Sequence, residues 1–192
     1  MRRSDLSAVM LPFLRTLLRL TLAAILAGAA FFASAQSMAD DTLEYSIKSA
    51  FLFKFGEFIE WPPDAFSSPG EPLVIGILGD DPFGSRLDQI VTGHSIDGRP
   101  VTVMRMRRTD QLRNTHVLFI SRSEREHMDG IAAALRGKNI LTVAEFEHAD
   151  VAITFIVENN RVRFDVSLPA ADRAGLKLSS KLLSVARNVT SR

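Results

Sequence analysis

The chain has 192 residues, carries 23 lysines and arginines against 22 aspartates and glutamates, and contains no cysteine. That length suffices for one well-buried domain, and the charge balance excludes nucleic acid or an acidic membrane surface as an electrostatically favoured partner. Without thiols there is no disulfide framework and no lipid-bearing cysteine, so stability must come from packing.

The chain opens with Arg2, Arg3, Arg15 and Arg19, an apolar run from about Leu20 to Phe32, and then Ala33-Ser34-Ala35. A basic segment, a short apolar stretch and a small-residue cleavage site follow the order of a secretory signal peptide. Residues 1–35 are therefore expected to be removed, with Met10 as an alternative start, leaving 36–192 as a single exported domain. The apolar run is shorter than the roughly 20 residues of a membrane-spanning helix, and no later run is longer, so no membrane insertion is expected after cleavage. The leader takes four of the basic and one of the acidic residues, leaving 19 against 21.

Asp41 and Glu44 have capping-box spacing, and Leu43, Ile47, Phe51, Phe55 and Phe58 follow at steps of four and three. The pattern predicts a helix with one apolar face, ended at Trp61-Pro62-Pro63 because proline breaks the hydrogen-bond ladder. After a loop at Ser67-Ser68-Pro69-Gly70, Leu73 to Leu78 is almost wholly apolar, as a strand covered on both faces should be. Asp81 is expected to cap a helix beginning at Pro82, with Phe83, Leu87 and Ile90 inward. Arg99 to Met106 reads as a strand from the alternation of Val101 and Val103. A helical turn over Thr109 to Arg113 leads into a second apolar strand, His116 to Ile120. Ser123 and Glu126 predict a capped helix with Met128, Ile131 and Leu135 inward, stopped by Gly137. Asn139 to Val143 is a further short strand.

Val151 to Val157 and Arg161 to Leu168 flank Glu158-Asn159-Asn160, which predicts a β-hairpin because asparagine tolerates positive φ. The tail from Ala170 to Val189 is helical in composition and divides in two. Gly175 ends the first piece, Leu176 to Leu178 is extended, and Ser179 or Ser180 caps the second. Together these elements predict an α/β fold, a three-layer sandwich with a mainly parallel central sheet plus an antiparallel hairpin.

Gly76, Gly79 and Gly84 lie where a phosphate loop would lie, between strand and helix. They lack the G-x-G-x-x-G and G-K-[ST] patterns, and Asp80 and Asp81 compete with phosphate for the same amides, so a turn and a helix cap are expected. A shallow ligand crevice is expected at the strand ends instead, around Gly79, Asp80, Phe83, Ser121 and Arg122. His94, His116, His127 and His148 share no ligand spacing; each is read as a surface or edge residue, and no metal site is expected. No G-x-S-x-G elbow activates a serine, and Glu145 with Glu147 reads as a surface turn. Neither catalysis nor a cofactor is expected.

Two surfaces remain for protein contact. Arg105, Arg107, Arg108 and Arg113 make the one basic cluster, either a solvated edge that discourages aggregation or a docking patch for an acidic protein. Phe53 falls off the apolar stripe of the first helix and is expected to be exposed, which makes it a candidate contact together with Trp61.

Four segments carry a resemblance when taken in order. They are Tyr45-x-x-Lys48-x-Ala50-Phe51-Leu52-x-Lys54-Phe55-x-x-Phe58-x-x-Trp61-Pro62, Gly79-Asp80-Asp81-Pro82-Phe83-Gly84, His116 to Ile120, and Ala174-Gly175-Leu176-Lys177-Leu178-Ser179-Ser180-Lys181-Leu182-Leu183. The set resembles the YfiR family (YfiR/HmsC-like) of periplasmic regulatory proteins. The resemblance implies a periplasmic, non-enzymatic protein that binds and represses the periplasmic sensor domain of an inner-membrane diguanylate cyclase. It implies lower cyclic di-GMP, less biofilm, and homodimers. Family members use cysteines in disulfides, so a redox switch does not carry over to this chain. The asparagine expected in the strand before the last helix is Ser167 here. The alternative is a periplasmic small-ligand binding module built on the strand-end crevice. The two readings coexist if occupancy controls partner release.

Overall fold

The computed structural model describes residues 42–191. The expected signal peptide and the capping Asp41 lie outside the described residues. Helix α1 covers residues 42–57 and hands over to a two-residue strand β1, Ile59–Glu60. The helix therefore ends before Trp61-Pro62-Pro63, because Ile59 and Glu60 leave it to pair with β9, Lys177–Leu178.

The remaining strands are β2 (Leu73–Leu78), β3 (Ser95–Ile96), β4 (Arg99–Met106), β5 (Val117–Ile120), β6 (Leu141–Ala144), β7 (Ile153–Glu158), β8 (Arg161–Ser167) and β10 (Asn188–Thr190). They form one sheet in the order β10-β8-β7-β6-β5-β2-β4-β3. The five strands from β7 to β4 run parallel, β8 returns antiparallel to β7, and β10 lies parallel to β8. The β7–β8 turn holds Asn159 and Asn160 at φ 50° and 58°, as the asparagine pair predicts. Asp97-Gly98 makes a second turn of the same kind, giving the short β3–β4 hairpin that the sequence reading did not anticipate.

Alternation along the parallel strands divides the core in two. Ile75, Ile77, Val117 and Phe119 face α1, α2 (Ser85–Val91), α4 (Leu168–Arg173) and α5 (Ser180–Val185). Leu78, Leu118 and Ile120 face α3 (Met128–Leu135) on the other side. This is the three-layer sandwich, with β2 buried at every position. Gly76 is required on the α3 side, where a Cβ would stand 2.9 Å from both Met106 Cε and Thr115 Cγ2.

Several local expectations shift by a residue or a face. The buried side of α1 is Lys48, Ser49, Leu52, Phe53, Phe55 and Gly56, whereas Leu43 and Ile47 are exposed. The sheet rather than the helix pattern chose that face: Phe55 packs 5.1 Å from Phe164 and 5.7 Å from Phe155. Asp81 Oδ1 does accept the N–H groups of Phe83 and Gly84, but α2 starts only at Ser85, so Pro82 lies in the capping turn. Ser121, not Ser123, caps the 3-10 turn Arg122–His127 that runs into α3. The tail divides at Gly175 and is capped by Ser179, but it ends in β10 rather than in helix to Val189.

Candidate functional site

Helices leave β2 and β5 toward opposite faces of the sheet, α2 to one and α3 to the other. Adjacent strands that diverge in this way create a crevice at their carboxyl ends, the usual ligand position in open α/β sheets. Here that position is filled by the chain itself. Gly79 has φ 90°, and a Cβ on it would lie 2.4 Å from Ser123 Oγ and 2.8 Å from Glu124 Cγ. The Asp80 N–H donates to Ser123 Oγ at 3.1 Å, and Ser121 is buried as a cap. Phe83 is fully buried between Phe119 (4.7 Å) and Tyr45 (5.7 Å), so it lines no crevice. Of the five crevice residues, only Asp80 and Arg122 are well exposed.

Beside this closed rim lies a charged cluster that the sequence reading missed. Lys48 is 1% exposed on α1, and its ammonium donates to the carboxylates of Glu44 and Glu145. The Glu145 side chain, just past β6, is only 3% exposed. It also accepts the Tyr45 hydroxyl at 3.3 Å and meets Arg122 Nε at 3.2 Å. The Lys48 ammonium stands 4.7 Å from the Tyr45 ring centroid, a cation–π contact. Two cations and two carboxylates therefore balance, which is the condition under which charges survive burial. The expected surface turn at Glu145 is corrected accordingly. A cavity of about 310 Å³ opens next to the cluster, lined in part by Lys48, Arg122, Glu147 and Phe155.

Tyr45 reports on this cluster directly. Burial, reinforced by the nearby charges of Glu145 and Glu44, pushes its pKa up to about 12 from the ordinary 10.0. The folded state then binds the extra proton between those values, so stability is present below about pH 10 and falls as pH rises through the window. Tyr45 is the only tyrosine in the chain. Ultraviolet titration of the folded protein should therefore show almost no tyrosinate near about pH 10, where a free phenol is half ionised. Glu145→Gln should move ionisation back toward the ordinary range. A titration at the ordinary value in the wild-type protein would contradict the buried geometry.

The candidate contact residues separate into engaged and free. Phe53 is 7% exposed and packs edge-on to His94 at 5.7 Å, so the exposure expected for it is corrected: it faces the core. Trp61 is half-buried, its indole N–H donating to the Gly56 carbonyl at 3.4 Å. Arg105 reaches Asp81 Oδ2 and Asp88 Oδ2, each at 2.6 Å, and the Gly84 carbonyl at 2.7 Å, clamping the turn and α2 to β4. Its hydrogen bond holds the Asp88 carboxyl below the usual range and keeps the guanidinium firmly charged. Strand β4 ends at Met106, so Arg107 does not share a strand face with Arg105. Arg107 and Arg108 are exposed and line a cavity of about 350 Å³ with Glu124 and His127; Arg108 also pairs with Asp110 at 3.1 Å.

His116 departs from the surface role expected of it, being 1% exposed. Among the described residues, no group of three or more His, Asp or Glu side chains converges as a metal site, and no helix is long and apolar enough to cross a membrane. A comparison with curated proteins found no match. The pattern that defines a known family does match, over residues 45–187, from the tyrosine of the buried cluster to the arginine leading into β10, and the chain therefore belongs to the YfiR/HmsC-like family.

Proposed function

We propose that this protein is a periplasmic, non-catalytic regulator that binds the periplasmic sensor domain of an inner-membrane diguanylate cyclase and holds the enzyme inactive. Membership of the YfiR/HmsC-like family over residues 45–187 carries this reading, because it supports a periplasmic regulator of diguanylate cyclase signalling. The filled strand-end crevice agrees with it, because the usual ligand position of such a sheet is occupied by Ser123 and Glu124. The mechanism is linkage: binding one conformation of the cyclase better by about 1.4 kcal/mol shifts its equilibrium tenfold. The contact surface is assigned to Arg107, Arg108 and Trp61, the exposed or half-exposed members of the candidate set. Two copies are expected to associate, as the family resemblance implies.

The purified mature chain should retain a diguanylate cyclase from detergent-solubilised inner membranes, and its deletion should raise cellular cyclic di-GMP. Reversing Arg107 and Arg108 to glutamate should weaken retention about tenfold, chiefly through slower association. A deletion strain with unchanged cyclic di-GMP, together with no cyclase retained, would refute the proposal.

A further inference from the structure

The ring of His116 stands at the entrance to β5 with both nitrogens committed. Its backbone is fixed in the sheet, the N–H donating to Val74 O at 3.0 Å and the carbonyl accepting from Leu141 at 2.8 Å. Nδ1 accepts the Val74 N–H at 3.1 Å. An acceptor Nδ1 requires the tautomer with its proton on Nε2, and Nε2 lies 3.1 Å from the Ala65 carbonyl, which accepts that proton's hydrogen bond.

Ala65 belongs to the strap 61–66 between β1 and the loop before β2. Phe66 stacks on the imidazole at 4.3 Å and 17°, and Trp61 meets it edge-on at 5.8 Å. Besides the ring, the strap is held by the Trp61 indole N–H on the Gly56 carbonyl, by Arg99 over the Phe66 ring and by the partly buried Trp61 and Phe66. It forms no strand, Pro62 and Pro63 have no N–H to donate, and its internal turn is closed by Ala65 N–H to Pro62 O.

We propose that His116 is an acid-sensitive latch: its neutral ring fastens the strap 61–66 to the sheet, and protonation of Nδ1, which sets a proton against the Val74 N–H, drives the ring out of its place and with it the strap stacked on it. The charged groups facing the ring are Glu71, ahead of β2, and Arg99, at the start of β4. Arg99 also lies 3.8 Å from the Phe66 ring centroid and donates to the carbonyls of Ser68 and Glu71. Asp64, in the strap's own turn, is exposed. Burial first, and then Arg99, hold the histidine below its ordinary value of 6.5, against the Ala65 carbonyl and Glu71. With the folded value depressed, the open strap binds the proton that the closed strap refuses. Closure is therefore stable above about pH 6.5 and is lost as pH falls below it. Local release is favoured over global unfolding because the strap contributes no strand to the sheet.

The chain contains a single tryptophan, Trp61, so emission excited at the red edge of the absorption, where Tyr45 does not absorb, reads the strap alone. Titrating the protein from about pH 7.5 to about pH 5 should change that emission with a midpoint below 6.5, while far-UV circular dichroism stays constant. His116→Asn and His116→Gln should abolish the transition, whereas substitutions of His94, His127 or His148 should leave it intact. Amide exchange of the wild-type protein, corrected for its intrinsic pH dependence, gives a reading that needs no variant. Opening of 61–66 should rise by up to about tenfold per pH unit while β2 and β5 remain protected. Flat emission, a transition surviving in both His116 variants, or uniform protection at both pH values overturns the latch. Because Trp61 rides on the strap, release would alter the surface assigned to the cyclase, a consequence resting on that assignment; the fluorescence and exchange readings do not.

Discussion

Replacing Lys48 with methionine should destabilise the protein by about 3 kcal/mol. Methionine fills much the same space, so packing changes little, but the Glu145 carboxylate is left 3% exposed without its nearest cation. Breaking a buried pair in this way costs roughly 3–5 kcal/mol because the surviving charge keeps its desolvation penalty and loses its partner. The lower end applies here, since Arg122 Nε remains 3.2 Å from Glu145 and the Tyr45 hydroxyl 3.3 Å. Urea unfolding at neutral pH would read the loss as a midpoint shift of about 1.5 M for a slope near 2 kcal/mol/M. The double substitution Lys48→Met with Glu145→Gln should recover a substantial part, because it removes the stranded charge. A Lys48→Met protein within about 0.5 kcal/mol of wild type would mean that the cluster does not hold α1 to the sheet.

Gly79→Ala should cost a similar amount, about 3 kcal/mol, for two separable reasons. At φ 90° any L side chain is strained, an effect worth roughly 1–3 kcal/mol. The new methyl would also meet Ser123 Oγ at 2.4 Å and Glu124 Cγ at 2.8 Å, so the closed rim would have to open. Adding Ser123→Gly removes the nearest contact but leaves the backbone strain. That change alone costs about 1 kcal/mol for the lost Asp80 hydrogen bond. The double variant should therefore be more stable than the sum of the singles suggests, a positive coupling measurable by a double-mutant cycle. Strict additivity would show that Ser123 does not press on Gly79.

Much of the secondary structure was legible because its causes are local. Leu73–Leu78 and Arg99–Met106 are strands at the expected bounds, the former apolar throughout because helices cover both faces. Asn159 and Asn160 specify the hairpin through their tolerance of positive φ, and Gly175 and Ser179 divide the tail through the same kind of local chemistry. The misreadings have a common origin. The first helix offers aromatic residues on more than one side, so its periodicity admits two faces; contact with Phe155 and Phe164 selects the one that also buries Lys48 and Phe53. Three residues, Asn188 to Thr190, become a strand because Asp165 to Ser167 present a free edge, which nothing in their own composition announces.

The candidate site was less legible than the fold. Lys48 and Glu145 are 97 residues apart, and a lysine within an aromatic helix or a glutamate after a strand is unremarkable by itself. A signal existed only in their positions: a cation on the helix side facing a strand end that carries an acid. Gly79 and Ser121 directly follow β2 and β5, but whether a crevice stands open there depends on how closely Ser123 and Glu124 approach Gly79.

The extended segments, the asparagine turn, the division of the tail, the lack of thiol chemistry and the family could all be read along the chain, because each depends on neighbours a few residues away or on an ordered set of local motifs. Which face of α1 is buried, that Lys48 meets Glu145, that the ligand position of the sheet is filled, and that His116 is locked between Val74 and Ala65 emerge only when the folded chain brings those segments together. Those outcomes rest on distances between segments brought together by strand order, and a residue's desolvation and partners are properties of that meeting rather than of its own stretch of chain.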